Sequence, residues 1–156
     1  VDRRLDAIGT DEALALRGKA AVANGKLAYA LFLETFAGAR WDALVARGAR
    51  VQRPLWASTS TKNPDYPDTL YVDELIGPDT VNTLPVVTLE AFRDHGELRP
   101  SLLEDVAGAD RAFAELAAVG IDIDAITTEL QIEGVAAFAK SFDQLLGALD
   151  EARVSM

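Results

Sequence analysis

The sequence predicts an α/β fold that is mostly helical, with about two short parallel strands. Three observations carry this. Apolar residues recur at helical spacing over most of the chain. Two short segments, residues 51–57 and 80–84, are instead apolar or β-branched and bounded by turn residues. Each lies between helical stretches, and strands separated by a helix pair in parallel, since an antiparallel pair needs only a tight turn. No internal repeat, low-complexity tract or linker divides residues 1–156, so they read as a single segment.

Taken in order, Thr10 before Asp11 and Glu12 is a helix start, because a hydroxyl caps free N–H groups and acids suit the first turn. That helix is expected to reach about Phe36, with Leu14, Ala21, Ala28, Leu31 and Phe32 on one face and Arg17 and Glu34 solvated. Small residues, Gly18, Ala20, Ala21 and Gly25, suit close packing. Residues 41–47 form a second short helix stopped by Gly48. Residues 51–57 are a strand, although Pro54 restricts it to an edge, an end or a bulge. The run 58–68, with its Asn63-Pro64 and Tyr66-Pro67-Asp68 steps, is a loop. A helical turn over 70–76, a strand over 80–84 closed by Pro85 and a helix over 88–94 follow. Ser101 and Glu104 match the capping-box pattern and open a helix to Val119; Asp124 caps another. A last helix, about 135–153, carries Ala136, Phe138, Phe142, Leu145, Leu146 and Leu149 on one side and Lys140, Asp143 and Asp150 outside.

Composition excludes several function classes. With no Cys and a single His, the chain has no Cys/His zinc site, iron–sulfur cluster, thiolate nucleophile or disulfide framework. The formal net charge is −10, with 15 Lys and Arg against 25 Asp and Glu, which argues against nucleic acid as a partner. The charge is uneven: +3 as far as Arg53 and −13 beyond it. No apolar run approaches the ~18 residues of a membrane span and no secretory h-region follows Val1, so the expectation is a cytoplasmic protein with no membrane partner. A closed eight-stranded α/β barrel needs ~250 residues. At 156 residues a complete barrel is excluded.

Candidate chemistry concentrates in one loop. Ligands of α/β sheets sit at the C-terminal ends of strands, and the run after Trp56 lies there. Ser58, Thr59, Ser60 and Thr61 offer hydroxyl and N–H donors and Lys62 a cation, which together suit one phosphate group, or else form a solvent-exposed turn. Without glycine the loop is not a Walker motif. His95 reads as a helix-end residue rather than a base. Asp73-Glu74 and Asp122/Asp124 could hold Mg²⁺ or exchange protons, but cap and surface roles explain them better, so no metal site is expected. Of the four lysines, Lys19, Lys26 and Lys140 belong to the solvated faces of helices; only Lys62 lies near a strand end.

Two contiguous blocks carry a resemblance. Arg53-Pro54-Leu55-Trp56-Ala57-Ser58-Thr59 with Lys62-Asn63-Pro64, and Asp68 through Gly77-Pro78-Asp79-Thr80-Val81-Asn82-Thr83-Leu84-Pro85, resemble the C-terminal portion of transaldolases of the longer bacterial type found in actinobacteria. The resemblance extends over nearly the whole chain. It implies the C-terminal part of a (β/α)₈ TIM barrel, with the seventh strand at about 52–57 and the eighth at about 80–84. It further implies an enzyme of the pentose phosphate pathway that moves a dihydroxyacetone unit from a ketose phosphate to an aldose phosphate through a lysine Schiff base, without cofactor or metal. The family's phosphate-binding serine after the seventh strand matches Ser58; in many members an arginine follows closer to that serine, whereas here the nearest basic residue is Lys62, across a longer loop. The Schiff-base lysine and its assisting acids belong to earlier strands, upstream of Val1, so no catalytic residue is expected here and the segment alone is expected to be inactive. A partner is expected: the N-terminal part of the barrel, to cover free strand edges and an apolar interior. The competing expectation is a non-catalytic α/β domain that binds an anion or another chain through the same loop.

Overall fold

The structure is a computed structural model that describes residues 1–154. In chain order its elements are α1 (Asp2–Ile8), α2 (Asp11–Leu14), α3 (Lys19–Thr35), α4 (Gly38–Val45), β1 (Leu55–Ala57), α5 (Leu70–Asp73), β2 (Val81–Thr83), α6 (Val86–His95), a 3-10 turn (Ser101–Leu103), α7 (Val106–Ala118) and α8 (Ile123–Val154). The strands pair in parallel, with Leu55 opposite Val81, Trp56 opposite Asn82 and Ala57 opposite Thr83. Pro54 sits just before β1, where its missing N–H costs nothing and its carbonyl accepts the Val81 N–H at 2.9 Å.

The helix expected from Thr10 to Phe36 is broken. Thr10 does cap, its hydroxyl oxygen accepting from the Ala13 N–H at 3.2 Å, but α2 ends within one turn. The chain then passes through Gly18 at φ 75°, which only glycine adopts cheaply, and restarts as α3. The buried face differs accordingly: Ala13 and Leu16 are buried while Leu14 and Leu31 are exposed, and α3 buries Ala23, Gly25, Lys26 and Tyr29. Helix α1 was not expected, although Gly9, at φ 71° with its N–H on the Leu5 carbonyl, is a C-terminal stop of the usual glycine kind. Three apolar clusters line up along α3. Ala20 joins Leu5, Ala13, Leu16, Leu116, Ile121 and Ile126; Ala23 meets Ala109 and Ala112 of α7; Tyr29 packs with Leu75, Leu102 and Trp56.

Two further boundaries differ from expectation. Ser101 opens no long helix: it is fully buried, and its hydroxyl oxygen accepts from the Ile76 N–H at 3.0 Å. The cap of α7 is Asp105, whose side chain accepts from the Gly108 N–H at 3.0 Å. Likewise Asp122, not Asp124, receives the Ala125 N–H at 2.9 Å, and the two helices expected beyond it are one helix, α8, of 32 residues. Its apolar stripe is uncovered among the described residues, Phe138 being 82% exposed. Among the described residues no helix is long and apolar enough to cross a membrane.

Candidate functional site

Because β1 and β2 run parallel, their C-terminal ends lie together, and the loop after Ala57 is tied to the end of β2. The Thr59 hydroxyl donates to Asn82 Oδ1 at 2.6 Å, the Ser58 N–H reaches Thr83 Oγ1 at 3.4 Å, and that hydroxyl in turn donates to the Trp56 carbonyl at 3.3 Å. Ser58 is left at φ 58°, in the left-handed region that a side chain occupies only at a cost. Such strain points to a local requirement. Here it turns the chain out of the strand so that Ser58 and the residues after it border a cleft.

That cleft, of about 580 Å³, lies between α3 and the strand-loop junction. Ser58, Thr59, Ser60, Lys62 and Tyr66 border it from the loop, Asp2 and Asn24 from elsewhere. Lys62 and Asp2 oppose one another in charge, so the attraction of the cleft for an anion depends on how Asp2 is engaged. Its Oδ1 accepts from the Gly18 N–H at 3.2 Å and its Oδ2 from the Tyr66 hydroxyl at 2.6 Å. Burial first, then the hydrogen bond to Asp2 and its charge, push the Tyr66 hydroxyl up to about 12, so it stays a proton donor at neutral pH. The Trp56 indole nitrogen is buried without a partner.

Of the residues expected from the sequence, Ser58, Ser60 and Lys62 come together on the cleft. Thr59 borders it but is buried, its proton committed to Asn82. Thr61 is not among the lining residues, and its hydroxyl is buried without a partner. Lys26, expected on a solvated face, is buried: its Nζ donates to the Glu104 carbonyl at 3.0 Å and lies 3.6 Å from a Glu74 oxygen. The reason is that α3 is enclosed on that side by α7 and the segment between the 3-10 turn and α7. His95 bridges Asp68 and Asp94 at 2.9 and 3.1 Å, two carboxylates that raise its pKa. Asp73 accepts from Thr69 and from the Glu97 N–H, Glu74 pairs with Arg99 and Lys26, and among the described residues no group of three acids or histidines is arranged for a metal ion. Asp2, Asn24 and Tyr66 were missed. Asn24 had a signal: it is one polar residue on the small-residue face of Ala21 and Ala28.

A sequence model of the transaldolase/fructose-6-phosphate aldolase family matches residues 1–149. The chain belongs to this family. It is similar to a transaldolase of Frankia alni, 54% identical over 150 residues, which covers 96% of this chain and 40% of that protein. A transaldolase of Mycolicibacterium smegmatis is 54% identical over 158 residues, covering 98% of this chain and 43% of the relative. One of Thiobacillus denitrificans is 54% identical over 149 residues, covering 96% and 42%. This member of the transaldolase family thus spans about two fifths of the length of the curated relatives it matches. The family is one of α/β barrels, and a mostly helical segment with two parallel strands is consistent with part of such a barrel.

Proposed function

We propose that this chain forms the last two strands and the surrounding helices of a transaldolase barrel, and that its cleft binds the phosphate of a sugar phosphate substrate. In this reading the seventh and eighth strands are β1 and β2. Ser58 donates a hydrogen bond to the phosphate, Lys62 supplies the charge, and Ser60 and nearby N–H groups add donors. The dihydroxyacetone unit passes from ketose phosphate to aldose phosphate on a lysine Schiff base in the part of the barrel this chain does not contain, in the cytoplasm and without cofactor or metal. The observation that supports it is the convergence of Ser58, Ser60 and Lys62 on one cleft at the C-terminal ends of parallel strands.

A phosphate held at the end of the sugar away from the reacting carbonyl contributes binding that is nearly equal in ground and transition states. Its loss therefore falls on KM. In the assembled barrel, Lys62→Ala removes one charge-assisted hydrogen bond, about 1.5–3 kcal/mol, which corresponds to a KM about 10- to 100-fold higher for fructose 6-phosphate. Unchanged KM would remove Lys62 from the site. Borohydride trapping with the same substrate separates this reading from that of a non-catalytic anion-binding domain. An adduct on a lysine outside this chain supports it; an adduct on Lys19, Lys26, Lys62 or Lys140, or none in the assembled protein, contradicts it.

A further inference from the structure

We infer that Tyr66 and Asp2 form a positioning pair that sets the shape of the anion-binding loop and keeps a carboxylate from opposing the anion. The inference rests on the reading of the cleft as a phosphate site. The loop between β1 and α5 is held at its start by the Thr59 hydrogen bond to Asn82. Farther along, a turn in which the Tyr66 N–H reaches the Asn63 carbonyl at 3.2 Å, and Asn63 Oδ1 accepts from the Asp65 N–H at 3.0 Å, delivers Tyr66 to Asp2. Ser60 and Lys62 lie between these two anchors. A donor-bearing stretch fixed at both ends loses less freedom when it closes on a ligand, and that saving appears as affinity.

The second consequence is electrostatic. Asp2 lies on the cleft wall with Lys62. While Gly18 and Tyr66 each donate to one of its oxygens, both oxygens are engaged within the protein. The Tyr66 ring comes so close to Gly18 that a Cβ there would stand 3.2 Å from Cζ, so the glycine leaves room for the tyrosine to reach the acid. Removing the Tyr66 hydroxyl releases one carboxylate oxygen beside the anion site and frees the loop. Both effects weaken anion binding, and neither touches the reacting carbonyl.

The test is kinetic, in the assembled barrel, with Tyr66→Phe, Lys62→Ala and their parent compared on fructose 6-phosphate and on unphosphorylated fructose as donors. Tyr66→Phe keeps the ring on Gly18. The expected result is a KM for fructose 6-phosphate raised about fivefold to tenfold, kcat within about twofold, and no change with fructose, which also reports that the variant is folded. Asp2→Ala combined with Tyr66→Phe should raise KM less than Tyr66→Phe alone, because no freed carboxylate then stands beside the anion and only the loosened loop remains. If Lys62→Ala raises KM and Tyr66→Phe does not, the positioning role is wrong and the phosphate site stands. If Tyr66→Phe lowers kcat equally with both donors, its role is general stability and the inference fails. If Lys62→Ala leaves KM unchanged, the phosphate reading fails and takes the inference with it.

Discussion

Replacing Lys26 by methionine tests whether the polar centre of the α3 contact contributes to stability. Methionine keeps an unbranched apolar stem and removes only the charged end. What is lost is the hydrogen bond from Nζ to the Glu104 carbonyl at 3.0 Å and the attraction to Glu74 at 3.6 Å. A hydrogen bond from a charged donor contributes about 1.5–3 kcal/mol. Orphaning a buried carboxylate would cost about 3–5 kcal/mol more. Glu74 escapes that penalty because Arg99 pairs with its other oxygen. The expected loss is therefore about 2 kcal/mol, which for a chain of this size lowers Tm by about 4–8 °C. Urea denaturation of this chain followed by circular dichroism measures it, with Lys140→Met, on the exposed face of α8, as the control. If the two variants agree to within about 0.5 kcal/mol, the ordinary effect of a surface change, the buried role assigned to Lys26 is refuted.

Two glycines and the histidine also give sharp outcomes. Gly77→Ala places a Cβ 2.8 Å from Leu102 Cδ1 and 3.3 Å from the Tyr29 ring, both buried, and should cost about 1–3 kcal/mol in thermal unfolding, whereas Gly147→Ala, with open space around it inside α8, should stabilise by up to about 1 kcal/mol. Equal effects at the two sites would contradict the packing. His95 is the only histidine, so its proton resonances titrate without overlap, and hydrogen bonds to Asp68 and Asp94 place its midpoint above the ordinary 6.5. Asp68 is held below 3.8 by the same contact. The pair's contribution is thus complete between these two ordinary values, lost at higher pH as His95 deprotonates and at lower pH as Asp68 protonates. Asp68→Asn should bring the His95 midpoint down, and an unmoved midpoint would deny the contact.

The strands were legible because apolar or β-branched residues between turn residues mark short strands locally, and their parallel pairing because helical stretches lie on either side of each. So was the loop that carries Ser58 and Lys62. Two of the misplaced boundaries, at Ser101 and Gly18, share one cause: a local signal was overruled by a tertiary contact. Ser101 has the chemistry of a cap, yet its hydroxyl serves Ile76, far away in sequence, and the cap passes to Asp105. Gly18 sits within a helical pattern, yet its N–H donates to Asp2 and its backbone turns to φ 75°, so the helix breaks there. Lys26 reads as solvated because charge predicts exposure, and only the approach of Glu74 and Glu104 reverses that. Tyr66 and Asp2 were invisible for the same reason. They lie 64 residues apart, and neither has a local motif.

Two strands of three residues, each with one ladder neighbour among the described residues, do not hold themselves together. What holds them is on one face: Trp56 packs with Tyr29, Leu75 and Leu102, while Leu55 on the other face is 53% exposed. Parallel sheets are ordinarily covered on both faces. On the barrel reading the bare face is the interior, filled by side chains from strands this chain does not contain. The loop depends on none of that. Ser58 and Thr59 are set by Asn82 and Thr83, and Tyr66 by Asp2, all within this chain. On the proposed reading, grip on the phosphate and chemistry at the carbonyl are carried by different stretches of the barrel. If that reading holds, changes in this chain alter how tightly a sugar phosphate is held before they alter how fast it reacts.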